Sequence, residues 1–180
     1  SKSIDQQYNN KEINYVDISS IKNFKIQKFE KFLISERPSR AQRIIQNGDI
    51  LVSTVRPYLQ AFSIVEGTES NLICSTGFTV LETHNLHIRN ILFNFIKSKI
   101  FETYVIRLME GMAYPAITST VVGDCLIPIP TNEDEINLIS ETFANVDAQI
   151  YSQIKYKEKL ERLKKSLIQK ILTGEVRVKV

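Results

Sequence analysis

A chain of 180 residues with 43% hydrophobic and 24% charged side chains has room for one core plus an extension. No apolar run approaches the ~20 residues of a membrane span, and the polar first eleven residues do not read as a signal peptide. The net charge of +3 hides a division: residues 151–180 carry nine Lys/Arg against three Asp/Glu, while the other 150 carry 14 against 17. The two cysteines, Cys74 and Cys125, are expected as buried, reduced thiols of a cytoplasmic protein.

The first expected strand covers residues 13–18, where Ile13, Tyr15 and Asp17 alternate with their neighbours. Residues 19–47 are polar and basic and read as short strands and loops. Gly48-Asp49 is a turn signal before Ile50-Leu51-Val52-Ser53-Thr54-Val55, a β-rich run that stops at Arg56-Pro57. Residues 61–65 and 72–81 are further strands, punctuated by Gly67 and Gly77. Within this region, residues 21–60 hold eight basic side chains against Glu30, Glu36 and Asp49. A local basic segment on an acidic body attracts a polyanion to one place; the same pattern also fits a solvated surface of uneven charge.

The period then changes. Leu86, Ile88, Ile91, Leu92, Phe95, Ile96, Ile100, Tyr104, Val105 and Leu108 recur at three and four, predicting one amphipathic helix that ends near Gly111, with its stripe in the core. Residues 111–120 read as a loop and 121–129 as a last strand. Between Pro130 and Gly174 there is no glycine or proline, so residues 131–173 predict one helix, acidic at its start (Glu133, Asp134, Glu135) and basic near its end (Lys164, Lys165, Lys170). The expected fold is α+β: a globular, mostly antiparallel β domain with a packed helix over residues 1–130, then one long coiled-coil helix and short tail over 131–180. Such a helix outruns a small domain. It has to find another helix, so a homodimer is expected through Ile139, Phe143, Val146, Ile150, Leu160, Leu163, Leu167 and Ile171.

Catalytic signatures are sparse. The six glycines are scattered singly, and no Gly-x-Ser-x-Gly elbow occurs. His84-x-x-His87 lies at a helix start without a further ligand at metal spacing, which favours surface histidines over a zinc site. The chain is therefore expected to be no enzyme and to hold no metal or cofactor.

Three stretches carry a family resemblance. The first is Arg37-Pro38-Ser39-Arg40-Ala41 followed by Gly48-Asp49-Ile50-Leu51-Val52-Ser53-Thr54-Val55-Arg56-Pro57-Tyr58-Leu59. The second is the order Cys74-Ser75-Thr76-Gly77-Phe78, amphipathic helix, Gly111 to Pro115, Leu126-Ile127-Pro128-Ile129-Pro130. The third is Leu160-Glu161-Arg162-Leu163 through Leu172-Thr173-Gly174-Glu175-Val176-Arg177-Val178. Together, over roughly residues 13–180, they resemble the target recognition domain and spacer helix of type I restriction–modification specificity subunits. The resemblance implies a non-catalytic subunit that reads double-stranded DNA. It would direct methyltransferase (modification) and restriction subunits to a bipartite site, with S-adenosylmethionine, ATP and Mg held by those partners. The family's full subunit carries two domains and two helices, so this chain resembles a half-length form. After Pro130 it also departs from the family pattern, with Thr131-Asn132-Glu133-Asp134-Glu135.

Base edges need fork-like or paired donors and acceptors, whereas phosphates need positive charge or simple donors. Lys25, Lys28, Ser39, Arg40, Arg43, Arg56, Tyr58 and Gln60 supply both from the basic segment, and Tyr114 and Thr118 from the 111–120 loop. Arg40 and Arg56 suit DNA contact or a structural ion pair; Tyr58 and Tyr114 suit DNA contact or core packing. Two other readings compete. One is the recognition subunit of a related bifunctional restriction–methylation enzyme. The other is a coiled-coil adaptor whose head binds protein, which leaves the basic segment unexplained.

Overall fold

A computed structural model describes residues 11–111 and 115–177. Nine short strands are found among these residues: β1 (Glu12–Val16), β2 (Ile21–Lys22), β3 (Lys25–Ile26), β4 (Glu30–Leu33), β5 (Ala41–Ile44), β6 (Ile50–Ser53), β7 (Phe62–Ile64), β8 (Leu72–Ser75) and β9 (Phe78–Leu81). One sheet has the order β4-β1-β8-β5, a second β7-β6-β9, and β2 pairs with β3. Every pairing is antiparallel except β1 with β8. The architecture is α+β, as the sequence leads one to expect.

Strand β6 explains how the layers stack. All four of its residues are buried, so its two faces meet two cores, and such a strand reads as an unbroken apolar run. Leu51 joins Val16, Ile45, Val65 and Phe78 between the sheets. Ile50 and Val52, on the other face, join Phe62, Phe93, Ile96, Phe101 and Val105 beneath the helices. The turn that delivers β6 is built as its sequence suggests. Gly48 takes φ 98°, which glycine adopts without penalty, and Asp49 accepts the Gln46 amide through Oδ2 at 2.7 Å.

Three expectations are corrected. The single helix predicted over residues 86–108 is two, α1 (Leu86–Ile96) and α2 (Lys99–Arg107). Ser98 starts the second by accepting the Phe101 amide with its hydroxyl at 3.4 Å. The restart turns Phe101 into the core, edge-on to Phe62 and Phe95, and leaves Ile100, which the stripe had assigned inward, 69% exposed. Leu86 and Leu108 of that stripe are exposed as well. No strand covers residues 121–129. Thr118 caps a short helix, α3 (Ser119–Gly123), through the Val121 amide, and the chain then runs on without sheet pairing. The long helix therefore leaves from this extended segment and not from a strand. The first strand also ends at Val16, and residues 18–20 form a 3-10 turn.

The long helix, α4 (Glu133–Leu172), is 40 residues and about 60 Å long. Asn132 caps it by accepting the amides of Asp134 and Glu135, and Gly174 follows its end at φ 75°. Its first half lies on α1. There Ser140, buried, accepts a hydrogen bond from Asn90 Nδ2 at 3.1 Å. From residue 155 to 172 every side chain except the half-buried Glu158 is exposed.

Candidate nucleic-acid interface

The end of β6 opens into a strained elbow. Arg56 sits in the left-handed region (φ 47°, ψ 56°) immediately before Pro57, and Gln60 sits there too (φ 51°, ψ 40°). Between them Pro57–Leu59 forms one 3-10 turn with Pro57 buried. Each non-glycine residue in this conformation costs about 1–2 kcal/mol. The elbow directs Tyr58 and Leu59 outward, at 40% and 62% exposure, with Arg56 exposed beside them.

Backbone hydrogen bonds join three separate stretches around this elbow. The Thr76 amide donates to the Arg40 carbonyl at 2.9 Å. Thr54 donates its amide and its hydroxyl to the Gly77 carbonyl, at 2.8 and 2.9 Å. The Ile117 amide donates to the Thr54 carbonyl at 2.9 Å, and the Arg56 amide to the Pro115 carbonyl at 2.8 Å. Glu110 and Ala116 exchange both backbone hydrogen bonds. Arg40, the 76–77 turn, Arg56 and residues 115–118 are thereby neighbours, although they lie far apart in the chain.

The remaining residues expected at a DNA surface are distributed as follows. Ser39 is exposed, its carbonyl accepting from Gln42 Nε2 at 2.6 Å. Arg43 is half-buried at the bulge of β5, opposite Cys74. Thr118 is exposed but spends its hydroxyl oxygen on the α3 cap. Tyr114 lies outside the described residues. Lys25 is not brought to the elbow. It pairs with Glu66 at 3.7 Å and stands 4.1 Å from the centre of the Tyr151 ring, against α4. Lys28 pairs with Glu30 at 2.8 Å. Arg37, basic but not proposed as a contact, donates to the carbonyls of Ile34 and Ala41 and fastens the loop before β5.

Sequence reasoning missed the apolar Leu59 at the elbow tip and the helix seat made by Asn90, Asn94, Lys97 and Asp147. The run Arg56-Pro57-Tyr58-Leu59 contains the first signal. The second has none, because Lys97 and Asp147 lie 50 residues apart.

Among the described residues no group of three His, Cys, Asp or Glu side chains could hold a metal ion. Asn85, between the two histidines, caps α1 through the amides of His87 and Ile88. Cys74 and Cys125 are unpaired thiols; Cys74 is buried, while Cys125 is only half-buried, less than expected. Burial pushes the Cys74 thiol up to about 12, so it stays protonated at pH 8. Burial also raises the Cys125 thiol. Titration of the native protein with a thiol reagent at pH 8 should therefore consume Cys125 slowly and Cys74 only on unfolding. Rapid release of two equivalents would contradict that. No helix among the described residues is long and apolar enough to cross a membrane.

The described chain is thus a small sheet body with Arg56 at a strained elbow, carrying a long helix whose side chains are almost all exposed from residue 155 on. No family model matches the chain. It is 26% identical over 143 residues to the type I restriction enzyme MjaVIII specificity subunit of Methanocaldococcus jannaschii, covering 77% of this chain and 33% of that protein. The HindI specificity subunit of Haemophilus influenzae is 24% identical over 156 residues, covering 85% of this chain and 34% of that protein. Among solved structures, the HsdS subunit from Thermoanaerobacter tengcongensis aligns at a TM-score of 0.66 and 27% identity, over 92% of this chain and 41% of that one. A chain from a study of complex assembly and conformational transition of the type I R-M system aligns at 0.72 and 27% identity, over 98% and 46%. The chain is thus similar in sequence to part of two type I restriction enzyme specificity subunits, and in fold to part of an HsdS subunit. It spans about a third of the curated relatives it matches and less than half of each solved chain.

Proposed function

We propose that this chain is a sequence-specific DNA-recognition unit of a type I restriction–modification system, itself without a catalytic step. It would guide methyltransferase and restriction subunits to a bipartite site. The observation that carries the reading is the joining of Arg40, the Arg56 elbow and the 115–118 segment by backbone hydrogen bonds, in a chain similar in sequence to proteins named specificity subunits and in fold to solved type I chains. Methyl transfer and cleavage, with the S-adenosylmethionine, ATP and Mg they use, are assigned to the partners. The adaptor reading leaves both the elbow and the relatives unexplained.

Two copies would pair through α4, antiparallel. Residues 133–154 carry five acidic and no basic side chains, and residues 155–172 carry seven basic and two acidic. Antiparallel packing sets each acidic half against a basic half; parallel packing opposes like charges. Along the helix Ile139, Val146, Gln153, Leu160 and Leu167 recur every seven residues, one row of a left-handed seam whose middle is polar at Gln153 and Lys157. Two-fold symmetry would then make the two DNA half-sites inverted copies.

The test is methylome mapping in a host expressing a type I methyltransferase subunit from the same source, with and without this chain. Expected is methylation at an inverted repeat of fixed gap, present only when the chain is expressed. Methylation that ignores the chain would refute the recognition role. An asymmetric bipartite motif would refute the homodimer.

A further inference from the structure

We infer that the Lys97–Asp147 ion pair sets the DNA gap that a pair of these chains accepts, by fixing the angle between the reading body and the long helix. This rests on the reading of the chain as one half of a DNA-spanning pair. Helix length alone cannot define a gap unless each body is held at one angle to its helix. A small domain is about 30 Å across, so a tilt of about 7° at the seat moves the far side by about one 3.4 Å base step.

The seat is polar and narrow. Lys97, at the C-terminal cap of α1, donates to both carboxylate oxygens of Asp147 at 2.8 Å, with its side chain only 15% exposed. Its ammonium lies 5.0 Å from the Phe93 ring centre and 5.7 Å from that of Phe24, so the pair is oriented by two aromatic walls. Phe24 holds its place by adopting φ 59°, a strained value for a bulky side chain. Beside the pair is a cleft of about 470 Å³ between body and helix, lined by Asn23, Ile64, Ala148 and Ile154 among others. The apolar surfaces are thus not closed against each other here. Packing of α4 on α1 sets the angle broadly, and beside this cleft ion-pair and hydrogen-bond geometry fixes it more finely. The Asn90–Ser140 bond and the Lys25–Tyr151 contact act as flanking stays.

Lys97 and Asp147 are positioning residues, and neither is part of the proposed DNA surface. The test uses the full chain. Duplexes selected from a randomised pool by the wild-type protein are remade with the gap lengthened or shortened by one and two base pairs, together with a duplex holding a single half-site. Lys97→Met keeps the stem between the rings and removes the charge. It should bind the single half-site within about twofold of wild type, yet lower the preference for the best gap over its neighbours at least tenfold. Lys97→Arg, which can pair in two-pronged fashion, should restore the preference. Asp147→Asn should broaden the profile as Lys97→Met does, which guards against a folding defect peculiar to one variant; thermal melting is recorded for each. A sharp wild-type gap profile kept by folded Lys97→Met and Asp147→Asn proteins overturns this inference and leaves the recognition reading intact. Wild-type protein that binds no duplex overturns both, and wild-type protein that binds the half-site but all gaps equally overturns this inference while leaving recognition of the half-site intact.

Discussion

Replacing Leu160 and Leu167 together by aspartate is expected to convert dimers to monomers at micromolar concentration while the helix stays formed. Both side chains are about half exposed in the single chain, on the part of α4 where all side chains but Glu158 are exposed. In a symmetric pair each substitution is made twice, so four apolar contacts are lost and four carboxylates are forced into the seam. Burying a leucine side chain is worth about 1.5–3 kcal/mol, so the loss is about 6 kcal/mol or more. A micromolar dimer is held by only about 8 kcal/mol. The helix itself keeps its own supports. Glu158 lies between Lys155 at 3.3 Å and Arg162 at 3.9 Å, and these pairs at three and four residues apart each add a few tenths of a kcal/mol. Sedimentation equilibrium reads the mass and circular dichroism at 222 nm the helix. An unchanged dimer mass would move the interface elsewhere, and a monomeric wild type would remove it.

Arg56→Ala is expected to cost about 1–3 kcal/mol on the cognate site and far less on random DNA, the mark of a base contact. The substitution isolates the side chain. Alanine has the same Cβ penalty at φ 47° that arginine has, so the elbow's backbone strain is unchanged, whereas glycine would relax it. The amide bond to Pro115 is also retained. Equal losses on both DNAs, with a log–log salt slope shallower by about one, would assign the guanidinium to a phosphate. Titrations at two salt concentrations with matched melting curves separate these outcomes. Binding unaffected by simultaneous replacement of Arg40, Arg43 and Arg56 would dismiss the surface altogether.

The parts of this molecule that were legible in its sequence are those decided by near neighbours. Asn132 reaches amides two and three residues ahead, Gly174 takes a backbone angle of its own, and the intervening residues contain no breaker, so the 40-residue helix could be read within a residue or two. The Gly48-Asp49 turn and the buried run of β6 are local in the same sense. Misreadings arose where a local signal competed with a distant partner. The three-and-four spacing runs on through residue 100, but Ser98 restarts the helix and the core formed by Phe62 and Phe95 receives Phe101. Residues 121–129 are rich in β-formers, yet a strand needs a neighbouring edge. Thr118 caps a helix there, and Pro128 and Pro130 have no amide to donate. The sequence by itself determined the length and ends of the long helix, the α+β class and the basic segment, because each follows from residue types and spacing along the chain. Only the tertiary structure decided that the backbones at Arg40, Arg56 and residues 115–117 are joined through Thr54 and the 76–77 turn, that Lys25 belongs to the helix seat, and that Lys97 meets Asp147. Those contacts join residues tens of positions apart, and their geometry depends on how both sheets and the helices pack together.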